Sequence, residues 1–287
     1  MPHNPEAFFL ASARGPLFCV FHAPEKGAVR GRVLHFHPFA EELNTCRRVS
    51  AQCARALSQA GYAVLQFDLW GCGDSAGEFE QASWHDWVAN ARAALSWMDE
   101  HLEREGHARS PLWFWGVRGG ALLASQALSA VGETVHLLLW QPCGSGRQLL
   151  QQLLRTQTAS QWLGGASAGL PPRQQAREPW ADGQHVTIAG YTINARLAET
   201  LGEVRLAPAE NTQVAPGHLV WLEAGTTGEA GLGPGSRRQM ELWSSRGWST
   251  SSTRVRGPAF WHNISHEDAP ELLQASLAHL QAEEPRR

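Results

Sequence analysis

Apolar residues recur along this chain with two periods that alternate. Phe8-Phe9-Leu10 and Leu17-Phe18-Cys19-Val20-Phe21 flank Ala13-Arg14-Gly15-Pro16, the pattern of two strands around a hairpin turn. Arg32-Val33-Leu34-His35-Phe36 reads as a further short strand, ending at His37-Pro38-Phe39. Val49, Cys53, Ala56, Leu57 and Ala60 then fall on one face at helical spacing, and Gly61 stops that helix. Tyr62-Ala63-Val64-Leu65-Gln66-Phe67 is apolar and rich in β-formers, as a buried strand is. A long helix is predicted over about 83–103, with Trp87, Ala91, Ala94 and Met98 on one side. Leu112-Trp113-Phe114-Trp115 is the next strand and runs straight into a glycine-rich turn, after which Ala121 opens another helix. Leu137-Leu138-Leu139-Trp140 is strand again. Such alternation predicts an α/β protein with a mostly parallel sheet wrapped by helices on both faces, preceded by an antiparallel hairpin.

From about 141 to 216 the periodicity breaks. The stretch is rich in Gln, Gly and Ala and contains a Pro171-Pro172 turn. It predicts an insertion lying over the carboxyl edge of the sheet, a cap, with one helix near 148–155 and a hairpin near 186–190. The sheet resumes at Leu219-Val220-Trp221-Leu222, and a helix near 237–246, a strand at 252–255 and a last helix at 269–281 complete the pattern. The expected division is a core of 1–140 and 217–287 with a cap of 141–216.

Composition changes this picture little. The 287 residues suit one large α/β domain with an insertion, and 43% hydrophobic with 18% charged residues is ordinary for a globular chain. A formal net charge of -3 gives no reason to expect nucleic acid or an anionic membrane surface as partner. No apolar run is long enough to span a bilayer. The five cysteines are odd in number and contain no CxxC pair, which argues against a disulfide framework and a structural zinc. The N-terminus lacks the basic and apolar regions of a signal peptide. A reducing cytoplasm is the expected compartment, with no metal and no cofactor. The 13 tryptophans either fill core gaps or in part line an aromatic pocket.

In open α/β sheets ligands bind beyond the carboxyl ends of the strands, so the chemistry is sought in the turns there. Gly116-Val117-Arg118-Gly119-Gly120 has the glycine spacing of the G-x-S-x-G nucleophile elbow, with arginine where serine would stand. Asp68-Leu69-Trp70-Gly71-Cys72-Gly73-Asp74-Ser75 follows the preceding strand. His37-Pro38-Phe39-Ala40-Glu41-Glu42 lies where such a fold carries its oxyanion loop. These turns, with Asn44, Arg47-Arg48, Gln141-Pro142, Ala189-Gly190-Tyr191 and Gly257-Pro258-Ala259-Phe260-Trp261, resemble the bacterial family called exosortase A system-associated hydrolase 2. The resemblance covers most of the chain. It implies the α/β-hydrolase fold and an association with exopolysaccharide and protein-sorting systems of Gram-negative bacteria. It also implies that arginine is usual at this elbow, and that His37 stands where relatives carry proline.

A serine hydrolase needs a nucleophile, a base and an orienting acid. Arg118 cannot be the nucleophile, because a guanidinium stays protonated and has no lone pair to attack with. By position the acid is Glu223 and the base His262, with His266 the alternative; each could equally be a solvated loop residue. Ser145, Cys72, Ser75 and Cys46 are the available stand-ins for the missing serine. Val117, Gly119, His37 and Phe39 would line the oxyanion side. A cation at a helix N-terminus is unfavourable unless an anion compensates it. Glu41, Glu42, Asp68 and Asp74 are the internal candidates, Glu41 and Glu42 foremost; an anionic small molecule is the external one. Three functions therefore stay open. They are a pseudohydrolase or anion binder, an esterase or thioesterase that uses unusual residues or a water activated by His37 or His262, and an accessory protein with a partner from the same pathway. The oligomeric state is not readable.

Overall fold

A computed structural model describes residues 4–25, 28–107, 109–163 (of 156–163 the backbone), 183, 185–208, 214–226, 231–262 and 267–283. Strands β1 (Glu6–Leu10) and β2 (Leu17–His22) form the predicted hairpin. β3 (Gly31–Phe36), α1 (Glu41–Gln59), β4 (Tyr62–Phe67), α2 (Trp84–Arg104), β5 (Leu112–Val117), α3 (Gly120–Ala127) and β6 (Val135–Trp140) follow as alternating units. After them come α4 (Gly146–Leu163), the short hairpin β7 (Val186–Ile188) and β8 (Tyr191–Ile193), and α5 (Ala195–Glu203). β9 (His218–Gly225), α6 (Pro234–Ser245), β10 (Ser249–Arg256) and α7 (Pro270–Ala282) end the chain. The main sheet has eight strands in the order β1-β2-β4-β3-β5-β6-β9-β10. β1 and β2 run antiparallel to their neighbours; every pair from β4 to β10 is parallel.

β3 and β5 are covered on both faces; β5 accordingly reads as a continuous apolar run, while β3 carries the buried Arg32 and His35. One apolar core lies between the sheet and α2, α3 and Trp243 of α6; a second lies under α1 and α7. Trp87, Trp113, Trp115, Trp140, Trp221 and Trp243 are fully buried in these cores, so these six fill space rather than line an open pocket. The Ser83 hydroxyl caps α2 by accepting from the Asp86 N–H at 3.2 Å. Gly61, at φ 96°, ends the first helix where the sequence places its stop.

Between β6 and β9 the helix expected at 148–155 is longer, Gly146–Leu163. A second helix, α5, was not expected; Asn194 caps it by accepting from Leu197 N–H at 2.7 Å. The same side chain donates to the carbonyls of Glu80 and Ala82, which ties α5 to the 3-10 turn Phe79–Gln81 before α2. The Pro171-Pro172 turn lies outside the described residues. Among the described residues no helix is long and apolar enough to cross a membrane.

Candidate functional site

The turn from β5 to α3 is tight because its glycines sit against backbone. A Cβ on Gly120 would lie 2.1 Å from the Phe36 carbonyl oxygen, and one on Gly116 would lie 2.6 Å from Ala121 Cα. Arg118, at the apex, has a φ of 53°, a left-handed conformation that costs energy in a residue with a Cβ. It is held there by its N–H donating to Trp140 O at 2.9 Å. Ala40, at the start of α1, and Gln141, just after β6, also have positive φ (52° and 43°). Three strained residues thus stand in the loops at the carboxyl ends of β3, β5 and β6, where the fold concentrates function.

The Arg118 side chain turns inward. Its Nη2 lies 2.9 Å from Glu42 Oε1, and its Nε lies 3.2 and 3.3 Å from the two Glu42 oxygens. Nη2 also donates to Gln152 Oε1 at 2.7 Å, and Nη1 to the Gln141 carbonyl at 3.3 Å. The guanidinium carbon sits 5.3 Å from the centre of the Trp261 ring. Arg118 and Glu42 are each only 6% exposed. Burial by itself would lower the Arg118 pKa, but the adjacent Cys143 and Glu42 outweigh it and the net shift is upward. The cation is therefore permanent and meets a buried carboxylate from the first turn of α1, where negative charge also suits the helix dipole.

Of the four acids expected near Arg118, Glu42 alone bonds it among the described residues. Glu41 accepts instead from Asn44, whose amide also donates to the Tyr191 hydroxyl. Asp68 Oδ2 accepts from Arg47 Nη2 and from the Asp74 N–H, both at 2.9 Å, and its carbonyl accepts from Ser75 Oγ. It organises its own turn. The Asp74 residue is exposed.

His37 is buried and used up by backbone. Its Nε2 accepts from Leu69 N–H at 3.1 Å, which leaves the proton on Nδ1, donated to Pro38 O at 2.6 Å. Burial lowers its pKa, a nearby Asp68 only partly opposing this. With both nitrogens committed, the expectation that His37 could activate a water is corrected: no ring atom is left to hold one. Phe39 stacks on Trp87 with centroids 4.7 Å apart and closes over Gly119, while Val117 is wholly buried in β5. His262 is exposed; partial burial lowers its pKa, Glu42 opposing and Arg118 adding to the shift. Glu223 Oε1 accepts from Trp221 Nε1 at 2.9 Å and from Ser236 Oγ at 2.5 Å. No hydrogen bond joins Glu223 to His262 among the described residues. His266 lies outside them.

The sequence model of the family described as serine aminopeptidase, S33, matches residues 27–176, slightly more than half of the 287. The chain belongs to this family. Its fold is the α/β-hydrolase fold, with the mostly parallel eight-stranded sheet and antiparallel N-terminal strands described above. Solved structures agree. XC6422 from Xanthomonas campestris, described as an α/β serine hydrolase without lid, aligns with a TM-score of 0.58 at 15% identity, covering 100% of this chain and 98% of its own. Est1E from Butyrivibrio proteoclasticus with bound ferulic acid aligns at 0.58 and 13%, covering 97% and 99%. A soluble variant of monoglyceride lipase from Saccharomyces cerevisiae aligns at 0.60 and 15%, covering 97% and 94%. Identities this low carry the fold alone. No curated protein matches the sequence significantly.

Within this hydrolase fold the stand-ins for serine are all occupied otherwise. Burial pushes the Cys46 and Cys72 thiols well above their ordinary value. Cys143, despite the cation beside it, is pushed up to about 12 by its burial. Ser75 Oγ accepts from Phe18 N–H at 2.9 Å while donating to Asp68 O. Ser145 Oγ accepts from Gln148 N–H in the first turn of α4. None is bonded to a histidine among the described residues, so none has a base to activate it. Gln152 was not singled out by sequence. The available signal was a polar residue sharing a helix face with Leu149 and Leu153, both buried.

Proposed function

We propose that this chain is a hydrolase-fold protein without serine-hydrolase chemistry, in which Arg118 works as a clamp. The observation that carries this reading is the buried pair of Arg118 with Glu42. Through that one guanidinium, the elbow binds α1, the turn after β6 and α4. Glu223 accepts from Trp221 and Ser236 and has no hydrogen bond to His262 among the described residues, which supports the same reading, since a triad needs them joined.

The motifs around His37, Asp68 and Arg118 favour a place among the exosortase A system-associated hydrolase 2 proteins. On that basis the protein serves an exopolysaccharide or protein-sorting system as an accessory component, working with a protein partner of that pathway. All five cysteines are free and buried, which fits a reducing cytoplasm. The residues between β6 and β9 are then a cap that Arg118 secures through Gln152. A second reading rests on Nη1 of Arg118. Its one contact among the described residues is the 3.3 Å bond to Gln141, which leaves a donor for a small anionic ligand.

A fluorophosphonate probe tests the proposal. Intact-mass spectrometry of the treated protein is expected to show no adduct; a stoichiometric adduct on any side chain contradicts it.

A further inference from the structure

Beneath α1, where it crosses β2, β4 and β3, lies a cavity of about 260 Å³ that neither Arg118 nor Glu42 lines. This face of the sheet should be apolar. Instead His22 of β2, His35 of β3 and Gln66 of β4 line the cavity, joined from α1 by Ser50. His22 and Gln66 satisfy each other at 3.1 Å. His35 Nε2 and Ser50 Oγ do not: both are buried and have no hydrogen-bond partner. The two residues are 4% and 2% exposed. An unmet buried polar atom costs about 1–3 kcal/mol, so native proteins leave few of them without a ligand or water to meet.

Charge narrows what could fill the space. Arg47 and Arg55 reach the cavity from α1 and frame its mouth. Asp68 is the one acid among the lining residues, and Arg47 with the Asp74 N–H already holds it. No carboxylate pairs with Arg55 among the described residues. Burial lowers the pKa of His22 and Arg55 lowers it further; burial also lowers that of His35, with His37, Arg47 and His22 adding to the effect. The His22 and His35 rings thus face two guanidinium groups, of which Arg47 is paired with Asp68 and Arg55 has no carboxylate partner among the described residues. The other walls include Phe18, Val20 and Leu43, which suit an apolar body. Small-molecule sites usually measure about 300–1,000 Å³, so the occupant is small.

We propose that this cavity binds a small monocarboxylate with an apolar body, its carboxylate held by Arg55 with the Ser50 hydroxyl and His35 Nε2 as the buried donors that meet it, and its body against Phe18, Val20 and Leu43. Nothing in the proposal depends on the role of the elbow. The His35 ring lies 4.2 Å from the Trp115 ring, tilted by 52°, and reports occupancy from the buried end.

The full chain, with 15N-labelled histidine rings, is titrated with benzoate, benzyl alcohol and inorganic phosphate. Benzoate is expected to shift the His22 and His35 ring signals saturably, with the neutral alcohol about tenfold weaker. Phosphate, lacking the apolar body, is expected to be weaker as well. Arg55→Gln, at an exposed position, is expected to leave the melting temperature unchanged and to weaken benzoate about tenfold. The proposal is overturned if benzoate leaves both rings unshifted, if benzyl alcohol or phosphate binds as tightly, or if Arg55→Gln binds benzoate as the parent does.

Discussion

Arg118→Met is expected to destabilise the protein by about 3–5 kcal/mol, because it strands Glu42 as a buried, uncompensated charge. The strained backbone at position 118 is the same in both proteins, so the loss reports on the side chain. Glu42→Met should cost a similar amount by stranding the guanidinium, whose remaining partners are two neutral carbonyl oxygens. Combining the two should restore most of the loss, since a buried pair exchanged for apolar side chains is often close to neutral. A net stability of about 5–15 kcal/mol makes either single loss easy to read by urea unfolding. Losses below about 1 kcal/mol in both single variants would show that the pair is not the clamp described here.

Stability is also expected to fall as the pH drops below 6.5. The folded pKa values of His22, His35, His37, His136, His218 and His279 are all lowered from 6.5, with burial the first cause in each. In the unfolded chain they return to about 6.5. Above that pH neither state is protonated and the shifts have no effect. Below it the unfolded state takes up protons that the folded state refuses, so unfolding gains free energy until the pH falls through the folded pKa values. Each fully buried ring contributes a slope of at most about 1.4 kcal/mol per pH unit. His35 and His37 dominate, and the partly exposed rings contribute less through solvent screening. Urea midpoints at pH 7.5 and 5.5 should differ clearly; equal midpoints would mean that these histidines are solvated.

The sequence carried the sheet because β5 and residues 137–140 of β6, buried among neighbouring strands, read as unbroken apolar runs, and β3 keeps a Val33-Leu34 core despite Arg32 and His35. It carried the elbow because Gly116 and Gly120 touch backbone, a requirement visible in residue type alone. It narrowed the partner of Arg118 to neighbouring acids but did not choose between Glu41 and Glu42. That choice belongs to the register of α1. Glu42 points inward with Leu43, Cys46 and Val49, whereas Glu41, about 100° round the helix, meets Asn44. Helix α5 was hidden although Leu197, Ala198 and Leu201 share a face, because Gly202 and a short length weaken the local signal. Asp68 is structural, as expected, but holds Arg47 and the Asp74 N–H rather than Arg118, and His37 is taken up by the backbone of Pro38 and Leu69, because polar side chains in tight turns are captured by nearby groups. His22, His35 and Gln66 looked like ordinary strand residues until the sheet placed them over one cavity.

Whether this elbow hydrolyses esters is read from initial rates on p-nitrophenyl esters of graded chain length. Wild type and His262→Ala should be measured side by side. Rates at the uncatalysed background are expected for both proteins at every chain length. Turnover by the wild type well above background, abolished by His262→Ala, would contradict it.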